Sequence, residues 1–465
     1  MSGERDQDDP DFPSTRLRRS ATIGMLAATE AAKFAATSAA NLGRTPDEAA
    51  EALGRRQLET AQQMVRVLGG MKGVAMKVGQ TLSVVDLAAV PKEYRAEVQA
   101  TLAQLQNNAP AVRFSEMRRV VEQELGEKLG AVFAEFDEQP VASASIGQVY
   151  RAVLHDGREV AVKVQYPGIA AAVRADLQNL GPMLRLAKQL VPGLDVDATV
   201  EEVRERMHEE LDYELEASNQ RSAARLYRGH PFIVIPEVVT DLCRERVIVM
   251  DFVRGRGQDA ITQLPQAERD RIAEIIFRFY FGSMYRHRQF SGDPHPGNSL
   301  LLDDGRMAFI DFGLYKHISA EAAERELRIQ RLGVERRGAD LIAAMTAAGM
   351  LPDPERADPE AMVEQFQTYS WWFTKDEIVA LDPSLATTIV LDFSDPRAGR
   401  LQQIRHERLP PEHLFGRRLE MMTLAVMSQL RPQANWFRVA REWLYGDEPV
   451  TELGRLEAAY YAGRG

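Results

Sequence analysis

The chain has 465 residues, enough for roughly two to four folding units. Its residues are 45% hydrophobic and 7% aromatic, as in a soluble globular protein, and its net charge of −11 argues against a general nucleic-acid-binding surface. The single cysteine, Cys243, excludes an internal disulfide and points to a reducing, cytoplasmic setting, with the thiol read as packing rather than as a nucleophile. No run of about 18 apolar residues occurs, so no membrane-spanning helix is expected.

Residues 1–15 carry Asp, Glu, Pro and Ser with little to bury, and a disordered acidic tail is expected there. Arg16, Arg18 and Arg19 then precede the Ala-rich stretch ATIGMLAATEAAKFAATSAA. It imitates a secretory leader, but Glu30 and Lys33 interrupt it and acidic residues come before it. It reads instead as an amphipathic helix to about Asn41, docked on its own protein or lying on a membrane surface. Thr45-Pro46-Asp47-Glu48 has the form of a helix start, with Thr45 as cap and Glu48 completing a capping box, so a helix is predicted over roughly 46–66. From Met64 to Leu82 apolar residues recur at helical spacing, yet Gly69, Gly70, Gly73 and Gly79 interrupt them. Each glycine costs about 1 kcal/mol against alanine, which makes sense where another backbone approaches closely. Lys77 and Gln80 sit on neighbouring turns of this helix, and spacing alone reads them as solvated. Residues 16–110 thus form an N-terminal helical extension.

A further amphipathic helix is expected between Pro110 and Gly130. From Ala131 the hydrophobic period becomes two, giving at least three antiparallel strands with a hairpin at His155–Arg158 around Asp156-Gly157. The last strand carries Val160-Ala161-Val162-Lys163, in the pattern of the kinase lysine that binds the α- and β-phosphates. Such a lysine needs a carboxylate. A helix over Thr199–Ala217 offers Glu209, Glu210, Asp212, Glu214 and Glu216. Glu210 is the expected partner, and spacing alone does not exclude Glu209 or Glu214. Strands near Phe232–Ile235 and Val247–Phe252 are expected to complete the small sheet. Met250-Asp251-Phe252-Val253 followed by Gly255 then runs into a flexible link, the place for a hinge between lobes, so Met250 and Phe252 are candidate nucleotide contacts. The small lobe is assigned to 111–250 and the helical lobe to 251–465.

After Ala267 the pattern is helical. Ile272, Ile275, Ile276, Phe279 and Met284 form one stripe, read as core. The stretch SGDPHPGNSLLLDDGRMAFIDFGL, Ser291–Leu314, follows. Two prolines and a glycine between Asp293 and Asn298 force a loop. Leu300–Leu302 and Met307–Ile310 around Asp303-Asp304-Gly305 read as a hairpin with a tight turn. Asp293, Asn298 and Asp311 are thereby gathered at one end, the oxygen ligands that Mg²⁺ on a triphosphate needs. D-x₄-N followed by Asp311-Phe312-Gly313 is the catalytic-loop and metal-loop pattern of kinases. Few residues separate Gly313 from the next helix at Ala320, so the long segment on which protein substrates dock is missing. Beyond Ala320 only helices and loops are expected, with 351–360 as a connector and Trp371, Trp372, Trp436 and Trp443 as packing residues.

Taken together, KVGQ (Lys77–Gln80), ASASIGQVYRA (Ala142–Ala152), VAVKVQYPG (Val160–Gly168), EELDYELEA (Glu209–Ala217), DPHPGN (Asp293–Asn298) and DFG (Asp311–Gly313) resemble the AarF/UbiB family of atypical kinase-like proteins, linked to quinone and isoprenoid-lipid metabolism. The resemblance runs from about Arg55 to Ser428. It implies an α+β, protein-kinase-like two-lobe fold with a helical extension, in which Lys77 and Gln80 fold over the active site. It implies ATP and Mg²⁺ as cofactors: Lys163, oriented by Glu210, holds phosphates, Asn298 and Asp311 bind the metal, and Asp293 orients the attacking hydroxyl or water. It also implies an alanine-rich phosphate loop, Ala142-Ser143-Ala144-Ser145-Ile146-Gly147, whose Cβ atoms hold the backbone N–H groups further from phosphate than glycines do. The expected function is a Mg²⁺-dependent ATPase or a small-molecule or lipid kinase. Alternatives are a phosphotransferase like antibiotic or choline kinases, and a nucleotide-sensing lipid chaperone or scaffold. Two features depart from the family pattern. Ser291-Gly292 stand where a histidine often precedes the loop aspartate, and the C-terminal membrane spans of the UbiB branch are not visible, leaving at most peripheral membrane contact.

Overall fold

The computed structural model describes residues 112–464 apart from Ser145, 188–195, Pro352 and 384–410, together with isolated positions between 40 and 62. The acidic tail, Lys77, Gln80 and Ser145 lie outside the described residues. Ahead of the main body, the capping box at Thr45 is formed. Thr45 N donates to Glu48 Oε2 at 3.0 Å, and Glu48 N donates back to Thr45 Oγ1 at 3.4 Å. Two compact units divide the chain. One includes Ser143–Gly147 and Tyr166–Leu211, and the other comprises Phe114–Ala142, Gln148–Gln165 and Asp212–Gly465.

From α1 (Phe114–Leu125) the chain runs through β1 (Phe133–Phe136), β2 (Ala142–Ser143), β3 (Gly147–Leu154) and β4 (Glu159–Gln165), all in the second unit except Ser143 and Gly147. The change of period at Ala131 therefore marks a real change of element. Tyr150, Ala152 and Leu154 are buried on one side of β3 while Arg151 points outward to Glu159 and Asp137. The hairpin between β3 and β4 closes as expected, with Gly157 at φ +87° and Leu154 N donating to Arg158 O at 2.9 Å. Helices α2 (Ile169–Ala187) and α3 (Val196–Leu211) follow in the first unit, where they pack on each other.

Back in the second unit come α4 (Tyr213–Tyr227), β5 (Ile233–Val234) and β6 (Val247–Asp251). The sheet order is β1-β3-β4-β6, with β2 on β3. Strand β6 completes it, antiparallel to β4, with Lys163 opposite Ile248 and Val160 opposite Asp251. Strand β5 does not. It pairs in parallel with the strand holding Met307, as part of the sheet under the candidate site. Val160, Val162 and Val164 fill one buried face of β4, so alternation turns Lys163 to the other.

The helical part begins with α5 (Gln266–Phe277), which continues through a π-turn, Arg278–Gly282, into α6 (Ser283–His287). Ile272, Ile275, Ile276, Phe279 and Met284 are all buried in its main core, as the stripe implied. Trp372, Trp436 and Trp443 surround Phe277 with ring centroids 5.0, 5.7 and 5.3 Å away. Cys243 is buried and its thiol is pushed up by burial, in keeping with a packing role. Short strands between Gln289 and His317, and helices between Ala320 and Ala462, follow in the same unit. The expectation of helices alone beyond Ala320 missed one short pair, Val379–Ala380 with Gln433–Ala434, whose two-residue strands carry no readable period. Among the described residues no helix is long and apolar enough to cross a membrane.

One ionic knot ties this part together. Arg278, fully buried in the π-turn, donates to Glu274 Oε1 (2.8 Å), to both Glu442 oxygens (2.8 Å each), to Glu457 Oε2 (2.9 Å) and to Thr451 Oγ1 (3.1 Å). The guanidinium fork suits such multidentate pairing, and the carboxylates keep it charged despite burial. Arg278→Ala leaves three buried carboxylates with no shared cation. It is expected to cost about 3–5 kcal/mol of unfolding free energy, read from urea denaturation.

Candidate active site

The centre is built from two chain segments pinned to each other at both ends. On one side, β8 (Ser299–Leu301) pairs antiparallel with β9 (Met307–Phe309), Ser299 opposite Phe309. Their turn has Gly305 at φ +82°, with Arg306 N donating to Asp304 Oδ1 at 3.0 Å. This is the hairpin that Asp303-Asp304-Gly305 announced. Just past it, Ile310 N donates to Asn298 O at 3.0 Å. On the other side, β7 (Gln289–Ser291) pairs with β10 (Tyr315–His317), Ser291 opposite Tyr315, and Gly292 N donates to Leu314 O at 2.8 Å. A Cβ on Gly292 would stand 3.2 Å from the Leu314 side chain, so glycine suits this approach. Ser291 and Gly292, in the place of the often-found histidine, therefore serve as the second clamp.

Between the clamps lie the loop from Asp293 to Asn298 and the turn Asp311-Phe312-Gly313. The loop ends in a 3₁₀ turn, Pro296–Asn298, with the proline at its first position and His295 Nδ1 accepting from Gly297 N at 3.0 Å. Asn298 Nδ2 donates to Asp293 O at 3.1 Å, which fixes its amide and leaves Oδ1 as the oxygen on offer. Asp311 Oδ1 accepts from Gly313 N at 3.1 Å. The buried Tyr280 phenol lies within electrostatic reach of both Asp293 and Asp311. Burial first, then these two carboxylates, hold its pKa well above the ordinary tyrosine value.

Lys163 Nζ donates to Glu216 Oε1 at 2.6 Å and lies 3.4 Å from Asp311 Oδ2. The Tyr213 ring centroid is 5.2 Å from the same ammonium. Burial alone depresses such an amine, but Asp311, Glu216 and Tyr213 together hold it well above the usual lysine value.

The partner of Lys163 is Glu216, not Glu210. The reason is a break in the helix expected over Thr199–Ala217. Helix α3 stops at Leu211, and Asp212 caps a new helix, its side chain accepting from Leu215 N at 2.9 Å. The break resets the phase, so that Tyr213, Glu216, Ala217, Gln220, Ala223, Ala224 and Tyr227 share the buried face of α4, while Glu210 lies on α3 in the other unit.

Two further residues of this helix, Asn219 and Gln220, are buried and polar. Asn219 Nδ2 donates to Phe312 O at 3.2 Å, and Gln220 Nε2 donates to Pro236 O at 2.9 Å and approaches Met250 Sδ at 3.3 Å. The available signal was a polar residue recurring on a stripe otherwise filled by Tyr213, Ala217, Ala224 and Tyr227.

Met250 is buried in β6, and Phe252 N donates to Glu159 O at 3.0 Å where the chain leaves the sheet. Ala142 and Ser143 are exposed, and within the first unit Ala144 N donates to Gly147 O (2.8 Å) and Tyr166 N to the carbonyl of buried Ile146 (2.9 Å). The donor chemistry at the centre, one carboxylate and one amide oxygen, fits a hard divalent ion. No cluster of three or more His, Cys, Asp or Glu side chains able to hold a metal occurs among the described residues. Such an ion would draw its other ligands from phosphate and water.

Residues 104–333 match the ABC1 atypical kinase-like domain. This chain belongs to the ABC1/AarF family of atypical kinases. It is 31% identical over 315 residues to the zebrafish (Danio rerio) protein named "Atypical kinase COQ8B, mitochondrial", covering 65% of this chain and 48% of that protein. It is 33% identical over 294 residues to mouse (Mus musculus) "AarF domain-containing protein kinase 1", covering 60% of this chain and 54% of the other. The chain therefore spans about half the length of the curated relatives it matches. In three dimensions it is similar to the Rv3197–erythromycin complex from Mycobacterium tuberculosis, with 33% identity, a TM-score of 0.60, and coverage of 83% of this chain and 95% of that chain. The kinase-like α+β fold and the family resemblance carried by the motifs are both borne out.

Glu216→Gln is expected to lower the pKa of the Lys163 amine, followed by NMR of the isotopically methylated lysine. Glu210→Gln is expected to leave that titration unchanged.

Proposed function

We propose that this atypical kinase domain binds ATP with Mg²⁺ and either hydrolyses it or transfers its γ-phosphoryl group to a small-molecule or lipid acceptor, in support of quinone or isoprenoid-lipid metabolism. The observation that carries the reading is the meeting of Lys163, Glu216 and Asp311 from three separate elements. Lys163 would hold the α- and β-phosphates, kept charged by Glu216. Asn298 Oδ1 and Asp311 Oδ2 would hold Mg²⁺, which when bound neutralises phosphate charge. Asp293, on the half-buried loop, would orient the attacking hydroxyl or water. Only β10 stands between Gly313 and the helix at Ala320, and this brevity favours a small acceptor over a docked protein. The proposed setting is the cytoplasm, with at most peripheral membrane contact.

A second reading, a phosphotransferase acting on a soluble small molecule, is favoured by the erythromycin held in the Rv3197 complex. Labelled ATP offered with lipid vesicles, with quinone precursors and with erythromycin separates the two. Binding without turnover under all of these conditions would instead favour a nucleotide-sensing scaffold.

The metal assignment has its own test. Asp311→Asn replaces a charged oxygen ligand by a neutral one and is expected to weaken Mg²⁺-dependent binding of a fluorescent ATP analogue at least about tenfold. Binding equal to wild type would remove Asp311 from the metal site.

A further inference from the structure

The helix that supplies the Lys163 partner also reaches the metal-loop turn directly. One peptide unit, the carbonyl of Phe312 and the N–H of Gly313, is held on both sides. Its oxygen accepts from Asn219 Nδ2 at 3.2 Å, and its N–H donates to Asp311 Oδ1 at 3.1 Å. Because a peptide is planar, fixing the carbonyl direction fixes the opposed N–H. That N–H holds one oxygen of Asp311 and directs the other, Oδ2, towards Lys163, 3.4 Å away. Asn219 is buried, as is the turn it grips, so water competes weakly for either bond.

We propose that Asn219 is a positioning residue for the divalent cation: through the Phe312–Gly313 peptide it sets which oxygen of Asp311 is presented to metal. An inference about metal geometry, it rests on the Mg²⁺–nucleotide reading given above. The side chain suits the task. Only its amide N–H can donate to the carbonyl, so aspartate in its place has the same shape but cannot make the bond. Helix α4 thereby acts twice on the same centre. Glu216 holds the cation of the protein, and Asn219, one turn on, sets the anion that receives the cation of the ligand. A rotation of α4 that broke the first contact would release the second as well.

The test uses the full chain and the fluorescent nucleotide mant-ATP, titrating Mg²⁺ at fixed nucleotide and nucleotide at saturating Mg²⁺. Asn219→Ala is expected to raise the Mg²⁺ midpoint about tenfold, while saturating Mg²⁺ restores nucleotide affinity to within about twofold of wild type. Asn219→Ser, which also loses the reach to the carbonyl, is expected to behave alike and serves if the alanine variant does not fold. Thermal melts establish that each variant is folded. A Mg²⁺ midpoint like that of wild type would overturn the relay, as would nucleotide affinity that stays low at saturating Mg²⁺. Wild-type protein whose mant-ATP binding ignores Mg²⁺ altogether would overturn the metal–nucleotide reading itself and the relay with it.

Discussion

A buried ammonium is the constraint around which this site is arranged. The Lys163 stem leaves a sheet whose opposite face is filled by Val160, Val162 and Val164, and its side chain is only 10% exposed, so its charge is largely withdrawn from bulk water. A cation in such a place demands anions, and two are brought to it from distant parts of the chain, Glu216 from α4 and Asp311 from the turn after β9. Removing either carboxylate leaves the remaining charges less well compensated. Two carboxylates against one ammonium leave an excess of negative charge at the centre, which suits a hard divalent cation.

The anion-bearing loops are rigid for a different reason. Backbone pairing on both sides, β8 with β9 and β7 with β10, leaves the chain between Asp293 and Asn298 no freedom at its ends. Prolines and a 3₁₀ turn restrict the middle. The loop and the turn carrying Asp311 are thus positioned by main-chain hydrogen bonds, which any sequence with these turn residues can make, while the side chains are left for chemistry.

Much of this was legible in the residues, and what was not failed for physical reasons. Asp304-Gly305 and Asp156-Gly157 announce their hairpins because few other pairs suit the turn. Lys163 announces itself by interrupting valines at strand spacing. The carboxylate facing it did not, because Asp212 sits inside an acidic run where a cap cannot be told from a solvated helix residue. One residue of irregular backbone there moved the answer from Glu210 to Glu216. Strand β5 was assigned to the wrong sheet because Ile233–Val234 is too short to show a period and its parallel partner lies far along the chain. Asn219 shows in the sequence only as a polar residue on an apolar stripe, because its partner is a main-chain carbonyl that a pattern of side chains does not reveal.

The knot at Arg278 bears on how such a chain is made. Its guanidinium and Glu457 are separated by 179 residues, and Glu442 by 164, so during synthesis this cation has only Glu274 beside it well before its other two counter-charges exist. At the usual pace of translation that interval is on the order of 10–40 s. Over that time the early helices must remain open to solvent, or shielded by a chaperone, around a hydrated arginine. Closure of this core around Arg278 therefore waits for the helices that carry Glu442 and Glu457.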